Sequence, residues 1–514
     1  MWQSRSASVC GLLSPQGILE DRTVLEDGMR RMADWLITNG NFRLEGDPPQ
    51  RIYSFGTPLF LSHSMHESMV RWTRKVSLAL EELGRHFLRR PDAAKSLQLF
   101  RDPVEEEFFR LDVDLPWLAP IFRLDLAVEA STGTFRLMEI NCGCPGGELD
   151  PALVAHAFQG SSLRLCLERI SSSDTDRPRI WRFYDPRRES LERLLRCYTA
   201  FRKANPSLPV HPTIALITSE AQAHFMLPES RGIAEYFSAK GYRVRIGGLL
   251  DLEPHGEEIL LQGEPVHLLY RKFSTHSFRL RMEDGDRFGE KTVRRVRGIW
   301  KAVQEGQVCV INPLGSTFLQ DKGLLECLLK RHPDLAPLVP TTVILREELP
   351  HEDPDCWKEI TRGEAFILKR RRSFSGRHVV MEPDAVRQLA PKLLKEEPGQ
   401  WVAQERISLA RYPFAVMRQG SIRMGVFPFT VDPFGWSCFV RVGIGDPWGP
   451  INAHRGSAEG FALIPERGYP TPFKGKDVWI DWDAPFPSPV LEESEGFPAT
   501  KGCLPASFPK GGRK

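Results

Sequence analysis

Apolar residues recur at helix-like intervals through the first part of the chain. Leu19, Val24, Met29, Met32 and Leu36, then Met69, Val70, Trp72, Val76, Leu78, Leu80 and Leu83, predict a mainly helical region over residues 15–110. The period then changes. Phe122, Leu124, Leu126 and Val128 alternate as in a strand, and Phe135 to Asn141 reads as the strand that returns. Between them, Ser131-Thr132-Gly133 reads as a three-residue loop with glycine at a positive φ. The polar stretch 171–189 resembles a linker or crossover. Thr213 to Thr218, a helix from Pro228 to Lys240, and Tyr242 to Ile246 form a strand–helix–strand unit, which predicts a small parallel sheet. His267 to Tyr270 adds a strand ending at Arg271-Lys272. From about 291 to 465 the pattern is α+β, with strands predicted at 341–345, 366–369, 379–381, 401–407, 414–417, 422–429 and 437–442. No internal repeat is visible. After about residue 485 the chain is rich in Pro, Gly, Ser and Lys and reads as a flexible tail.

The hairpin carries the most chemistry. Closing it at the three-residue loop makes paired residue numbers sum to 264, so Asp125 faces Glu139 and Arg123 faces Asn141. All four side chains then project from one side. Two carboxylates about 5 Å apart repel unless a cation lies between them. Asp, Glu and an Asn carbonyl are hard oxygen donors of the kind Mg²⁺ takes together with phosphates. A surface hairpin with one polar face is the alternative. The exit Asn141-Cys142-Gly143-Cys144-Pro145-Gly146-Gly147 suits a backbone that must approach a phosphate closely.

R-x-D, then E-x-N, then a Pro-Gly exit resembles the magnesium-binding end of ATP-grasp enzymes. In most of that superfamily this element follows the nucleotide-binding lysines, whereas here it precedes them. The order resembles the circularly permuted ATP-grasp branch, which includes glutathionylspermidine synthase-like carboxylate–amine ligases. The resemblance spans roughly 115–465 as scattered motifs. It implies an ATP-grasp-like, circularly permuted α+β / α/β fold, with a helical region over 1–110, a metal-binding hairpin and helix over 111–170, a small parallel-sheet substrate subdomain over 190–290, nucleotide-binding subdomains over 291–465, and the tail over 485–514.

The resemblance also implies roles for individual residues. Asp125, Glu139 and Asn141 would hold Mg²⁺, and Arg123 would act on the transferring phosphoryl group. Lys322, which follows Asn312-Pro313-Leu314-Gly315 and precedes a helix, would contact ATP phosphates. Lys369 ends an apolar strand and would lie on the α/β-phosphates beneath a small-residue loop that includes Gly376. Trp401 to Ile407 resembles the strand beside which adenine sits, with Gln404 and Glu405 as candidate contacts. Arg271, Asn452 and Arg455 are candidates for substrate contacts. Asp432, in Val431-Asp432-Pro433-Phe434-Gly435, reads as a turn residue. One departure stands out: arginines at 370, 371, 372 and 377 occupy a loop where the family uses glycine and other small residues. They read either as phosphate donors or as a surface basic run.

Composition narrows the function classes. The 41% hydrophobic and 26% charged content is ordinary for a globular enzyme. A net charge of +3 points to neither a nucleic-acid nor a membrane partner. Ten cysteines in 514 residues, with no secretory leader in view, read as reduced thiols of a cytoplasmic protein. Cys142-x-Cys144 is too closely spaced for a zinc pair and has no second pair nearby. No two of the 13 histidines are four residues apart, the spacing of a helical metal pair. The expected activity is amide formation through an acylphosphate, with ATP and Mg²⁺ as cofactors and a small carboxylate and an amine as substrates. A nucleotide-binding module without catalysis and a small-molecule kinase are the alternatives. The pattern selects neither the substrates nor the oligomeric state.

Overall fold

The computed structural model describes residues 12, 14–39, 54–100, 103–111, 117–169, 180–219, 223–373, 376–418, 420–445, 450–451, 457–465 and 479–481. Helices dominate the N-terminal part. Arg22–Asn39 buries Leu25, Met29, Met32 and Leu36, and His63–Arg89 buries Met69, Val76, Leu80 and Leu83. Both helices lay these side chains against the main hydrophobic core. Ser62 caps the second helix by accepting from the Met65 amide. Leu78 departs from the expected core set: it faces outward, 47% exposed.

This region is not separate from the sheet. Ser54–Gly56 pairs antiparallel with Arg411–Arg418 and parallel with Ala458–Pro465, a strand that the sequence pattern did not predict. These strands belong to a ten-stranded sheet. Within it, pairings run from 458–465 through 54–56, 411–418, 421–434 and 437–442 and back to 458–465, so this part closes on itself. The hairpin Arg123–Val128 and Phe135–Asn141 extends the sheet from Ser421–Phe434, with Val431 opposite Leu126.

The parallel sheet is present, in the order 309–311, 268–272, 213–218, 243–248. Thr213–Thr218 is buried at every position, as a strand covered on both faces must be. The helix after it runs Ala223–Ala239 and contains Pro228 in its interior, so it begins earlier than the proline suggested. Ile180–Arg182 and the helix Pro186–Ala204 occupy the second part of the stretch read as a linker. A separate four-stranded sheet, in the order 342–344, 401–405, 366–370, 379–380, carries Lys369 and Gln404. The tail over 485–514 lies outside the described residues.

Arg271, at the end of its parallel strand, ties the parallel sheet to the hairpin exit. It is fully buried. Its guanidinium donates to the carbonyls of Asn312 (2.8 Å), Phe273 (2.9 Å), Gly143 (2.8 Å) and Pro313 (2.8 Å). Removing it strands these acceptors in the interior. Arg271→Met is therefore expected to cost on the order of 3 kcal/mol or more, read as a fall in apparent melting temperature. An unchanged melting temperature would show that the carbonyls find other donors.

Candidate active site

The hairpin reaches the expected acid pairing by an unexpected route. Near the turn, Val128 pairs with Phe135 and Leu126 with Leu137, one residue short of the 264 sum. The loop is one residue longer than the sequence suggested: the Glu129 amide donates to the Thr134 carbonyl, and Gly133 has φ 70°. A β-bulge between Asp125 and Leu126 then leaves Met138 as the extra residue. Beyond it Asp125 pairs with Glu139 and Arg123 with Asn141. The bulge also frees the Met138 carbonyl, which accepts from Lys369 Nζ at 3.2 Å.

Asp125 is the hub. Arg123 Nε donates to its Oδ1 at 2.9 Å, Asn141 Nδ2 to the same oxygen at 2.9 Å, and Arg441 Nη2 to Oδ2 at 2.7 Å. Burial pushes the Asp125 carboxyl up, but Arg123 and Arg441 outweigh it and hold it below the usual range. Glu139 is met by Lys322 Nζ at 3.0 Å. The Lys322 ammonium also donates to the Ser373 carbonyl at 2.8 Å, so it joins the acid to the loop after Lys369. Lys369 Nζ donates to Gln404 Oε1 at 2.6 Å. Burial pushes the Lys369 pKa down to about 8, with Glu139 opposing and Lys322 adding to the shift.

Of these groups Asp125, Glu139, Lys369, Gln404 and Arg441 line a cleft of about 760 Å³ between the large sheet and the four-stranded sheet, whereas Arg123, Asn141 and Lys322 stand behind its lining. Asp125, Glu139, Thr430 and Arg441 line one wall, and Ile367, Lys369, Val379 and Gln404 the other. Gly376 and Glu405 also face it. Glu405 accepts from Arg136 at 2.9 Å and from the Thr341 amide at 3.0 Å, which fixes the end of its strand. The apolar lining and volume suit a purine nucleotide.

The donor chemistry also suits a divalent cation. Two carboxylates and one amide are hard donors, and among the described residues no three His, Cys, Asp or Glu side chains form a metal cluster. Such a set fits an ion that completes its shell with phosphate oxygens and water, as Mg²⁺ does.

Other predicted residues lie elsewhere. Arg271 is occupied by backbone carbonyls and is absent from the cleft lining. Asn452 and Arg455 lie outside the described residues. The glycine-rich exit serves the protein's own interior. Gln320 accepts from the amides of Cys142 (3.3 Å) and Gly143 (3.0 Å), and Glu229 from those of Gly147 and Glu148, both at 2.9 Å. A Cβ at Gly143 would stand 2.9 Å from Thr317 Oγ1, so close packing accounts for that glycine. The Cys142 thiol donates to the Ser316 carbonyl at 3.1 Å, and burial pushes its pKa up.

Two of the four arginines are held within the protein, and Arg377 is exposed. Arg371 and Arg372 both clasp the buried Asp321, at 2.8 and 3.2 Å. Burial pushes Asp321 up, and the two guanidiniums bring it below the ordinary range. Arg371 also donates to the Leu97 carbonyl at 2.8 Å, and Arg372 to that of Gln98. Arg370 alone makes a largely exposed pair, with Glu397 at 3.3 Å.

Sequence reasoning missed Arg441 and misplaced Asp432. The turn lies at Gly435, φ 84°, and Asp432 sits inside Ser421–Phe434, fully buried and ion-paired with Arg441. The available signal was the strand alternation that puts Thr430 and Asp432 on one face, opposite Arg441.

Residues 251–438 match the family model described as circularly permuted ATP-grasp type 2, which bears out the resemblance. Among solved structures, a glutathione synthetase-like effector from Globodera pallida aligns at a TM-score of 0.53 and 11% identity, covering 88% of this chain and 99% of its own. That likeness shows the fold. A putative gamma-glutamylcysteine synthetase from Methylobacillus flagellatus aligns at 0.35 and 13% identity, over 76% of this chain and 88% of its own. The D-alanyl-alanine synthetase A of Vibrio cholerae aligns at 0.26 and 11%, over 44% and 68%. No curated protein matches the chain. No helix among the described residues is long and apolar enough to cross a membrane.

Burying the Lys369 ammonium costs stability, and the cost depends on pH. Below pH about 8 the lysine is protonated whether folded or unfolded, and the cost is fully present. It fades as pH rises from there towards the ordinary value of 10.5. Lys369→Met also loses the bonds to Met138 and Gln404, so the expected signature is the pH dependence: relative to the variant, the parent gains on the order of 1 kcal/mol of stability per pH unit above pH about 8. Melting curves from neutral to about pH 10 test this. A pH-independent difference would contradict it.

Proposed function

We propose that this chain is an ATP-grasp ligase that joins a carboxylate to an amine through an acylphosphate. The observation that carries this reading is the convergence of Lys322 and Lys369 on a hairpin that precedes them by well over a hundred residues. Lys322 meets Glu139 at 3.0 Å, and Lys369 meets the Met138 carbonyl at 3.2 Å. The family match, which names an ATP-grasp type, supports it.

In this reading nucleotide phosphates lie along Lys322 and Lys369, whose charges replace the solvation the phosphates lose. Asp125, Glu139 and Asn141 would hold Mg²⁺, which supplies charge neutralisation between phosphate oxygens when bound. Purine contacts fall to the apolar lining around Ile367 and Val379 and to the strand end at Gln404 and Glu405. Arg123 and Arg441, both bonded to Asp125, would offset the negative charge that grows as a substrate carboxylate oxygen attacks the γ-phosphorus. An amine then displaces phosphate from the acyl carbon, giving the amide. An acylphosphate hydrolyses readily, so the segment after Lys369, tied to Lys322 through Ser373, would close the cleft to water. Asn452 and Arg455 remain proposed substrate contacts from the resemblance alone.

The test is incubation with ATP, Mg²⁺ and fractionated metabolites, following ADP release and new masses. A new amide mass with stoichiometric ADP supports the ligase. A phosphorylated product would replace it with a kinase, and nucleotide binding without ADP formation would leave only a binding module. Glu139→Gln, folded as the parent, is expected to abolish substrate-dependent ADP release, a loss of about 10³-fold or more. Undiminished turnover in that variant would reject the metal assignment.

A further inference from the structure

Asp432 is an expensive residue without an evident structural purpose. It is fully buried, and its Oδ1 has no hydrogen-bond partner. A buried acid paired with one guanidinium seldom stabilises a protein more than well-packed apolar groups would. Burial pushes its carboxyl up to about 6, with Arg441 opposing and Asp125 adding to the shift.

The sheet register explains where it stands. Thr430 pairs with Arg441 on one side and Ala127 on the other. Two residues along the same face, Asp432 is the neighbour of Asp125. Arg441 spans both acids: Nε donates to Asp432 Oδ2 and Nη2 to Asp125 Oδ2 at 2.7 Å. One guanidinium is thus shared by two carboxylates, while Arg123 already serves the other edge of Asp125. Of the two acids, Asp125 lines the cleft and Asp432 does not.

Dividing one cation between two acids weakens its hold on each. With Asp432 neutral, the whole charge of Arg441 would fall on Asp125, in competition with any metal ion there. With Asp432 ionised, Arg441 keeps a partner when a metal takes Asp125. We propose that Asp432 is a positioning residue, which retains Arg441 beside the cleft and leaves Asp125 available to a divalent cation. This rests on the assignment of Asp125 and Glu139 as the metal site of the proposed ligase.

Mn²⁺ binding in the presence of ADP, read as loss of the free-ion electron paramagnetic resonance signal, tests the idea without a substrate. Asp432→Asn keeps the shape and removes the charge. It is expected to weaken Mn²⁺ binding by about 10–100-fold, in the range for groups that act on a metal ligand from behind. Arg441→Gln removes the competitor and is expected to bind Mn²⁺ at least as tightly as the parent. The double variant is expected to recover most of the affinity that Asp432→Asn loses, because Asp432 acts on the site chiefly through Arg441. A merely structural Asp432 would not produce that rescue. Unchanged Mn²⁺ affinity in Asp432→Asn, or a double variant as weak as Asp432→Asn, overturns the proposal. Should Asp432→Asn not fold, weaker Mn²⁺ binding in Arg441→Gln overturns it instead. Failure of the parent protein to bind Mn²⁺ with ADP overturns the metal assignment as well, and so separates the two claims.

Discussion

Two carboxylates on neighbouring strands must be neutralised, and the cations that bond to them come from three separate parts of the chain. Arg123 lies on the hairpin itself, Lys322 just before the helix Leu324–Arg331, and Arg441 on a later strand of the large sheet. Like charges this close do not persist in a buried wall without compensation. The contacts that balance the acids therefore tie these segments to the hairpin, and Lys369 joins the second cleft wall to it through the Met138 carbonyl. Charge balance and architecture are a single constraint here, and the site forms only when every contributing segment is in place.

How much of this was legible depends on sequence distance and on the kind of contact. The hairpin is local, its alternation is clear, and Asp125 does face Glu139. The loop length was off by one residue, and the bulge at Met138 compensates for it. A bulge leaves no strong mark on alternation when Leu137, Met138 and Ile140 are all apolar. Lys369 was legible because an apolar strand ended by lysine and followed by a polar loop is a distinctive local string. The strands from 341 to 442 were legible for the same reason.

What stayed hidden depends on pairing between distant strands. Asp432 next to proline and near glycine looks like a turn, and only the placement of 421–434 beside 123–128 shows otherwise. Arg441 acquires its meaning from the same pairing. Arg271 shows the converse difficulty. Strand-end arginines in open sheets often meet ligands, but this one points behind the hairpin exit, where several backbone carbonyls need a donor. Nothing in the local string separates those two uses.

The clasp of Arg371 and Arg372 on Asp321 has a thermodynamic consequence. A phosphate-covering loop built from glycines is free in solution and must be ordered each time nucleotide arrives, at about 1–2 kcal/mol per residue fixed. Here the base of the loop is already anchored, through Asp321 to the segment holding Lys322 and through Leu97 and Gln98 to the N-terminal helices. Under the proposed function, most of that ordering would belong to folding rather than to nucleotide capture, and affinity would be gained through preorganisation.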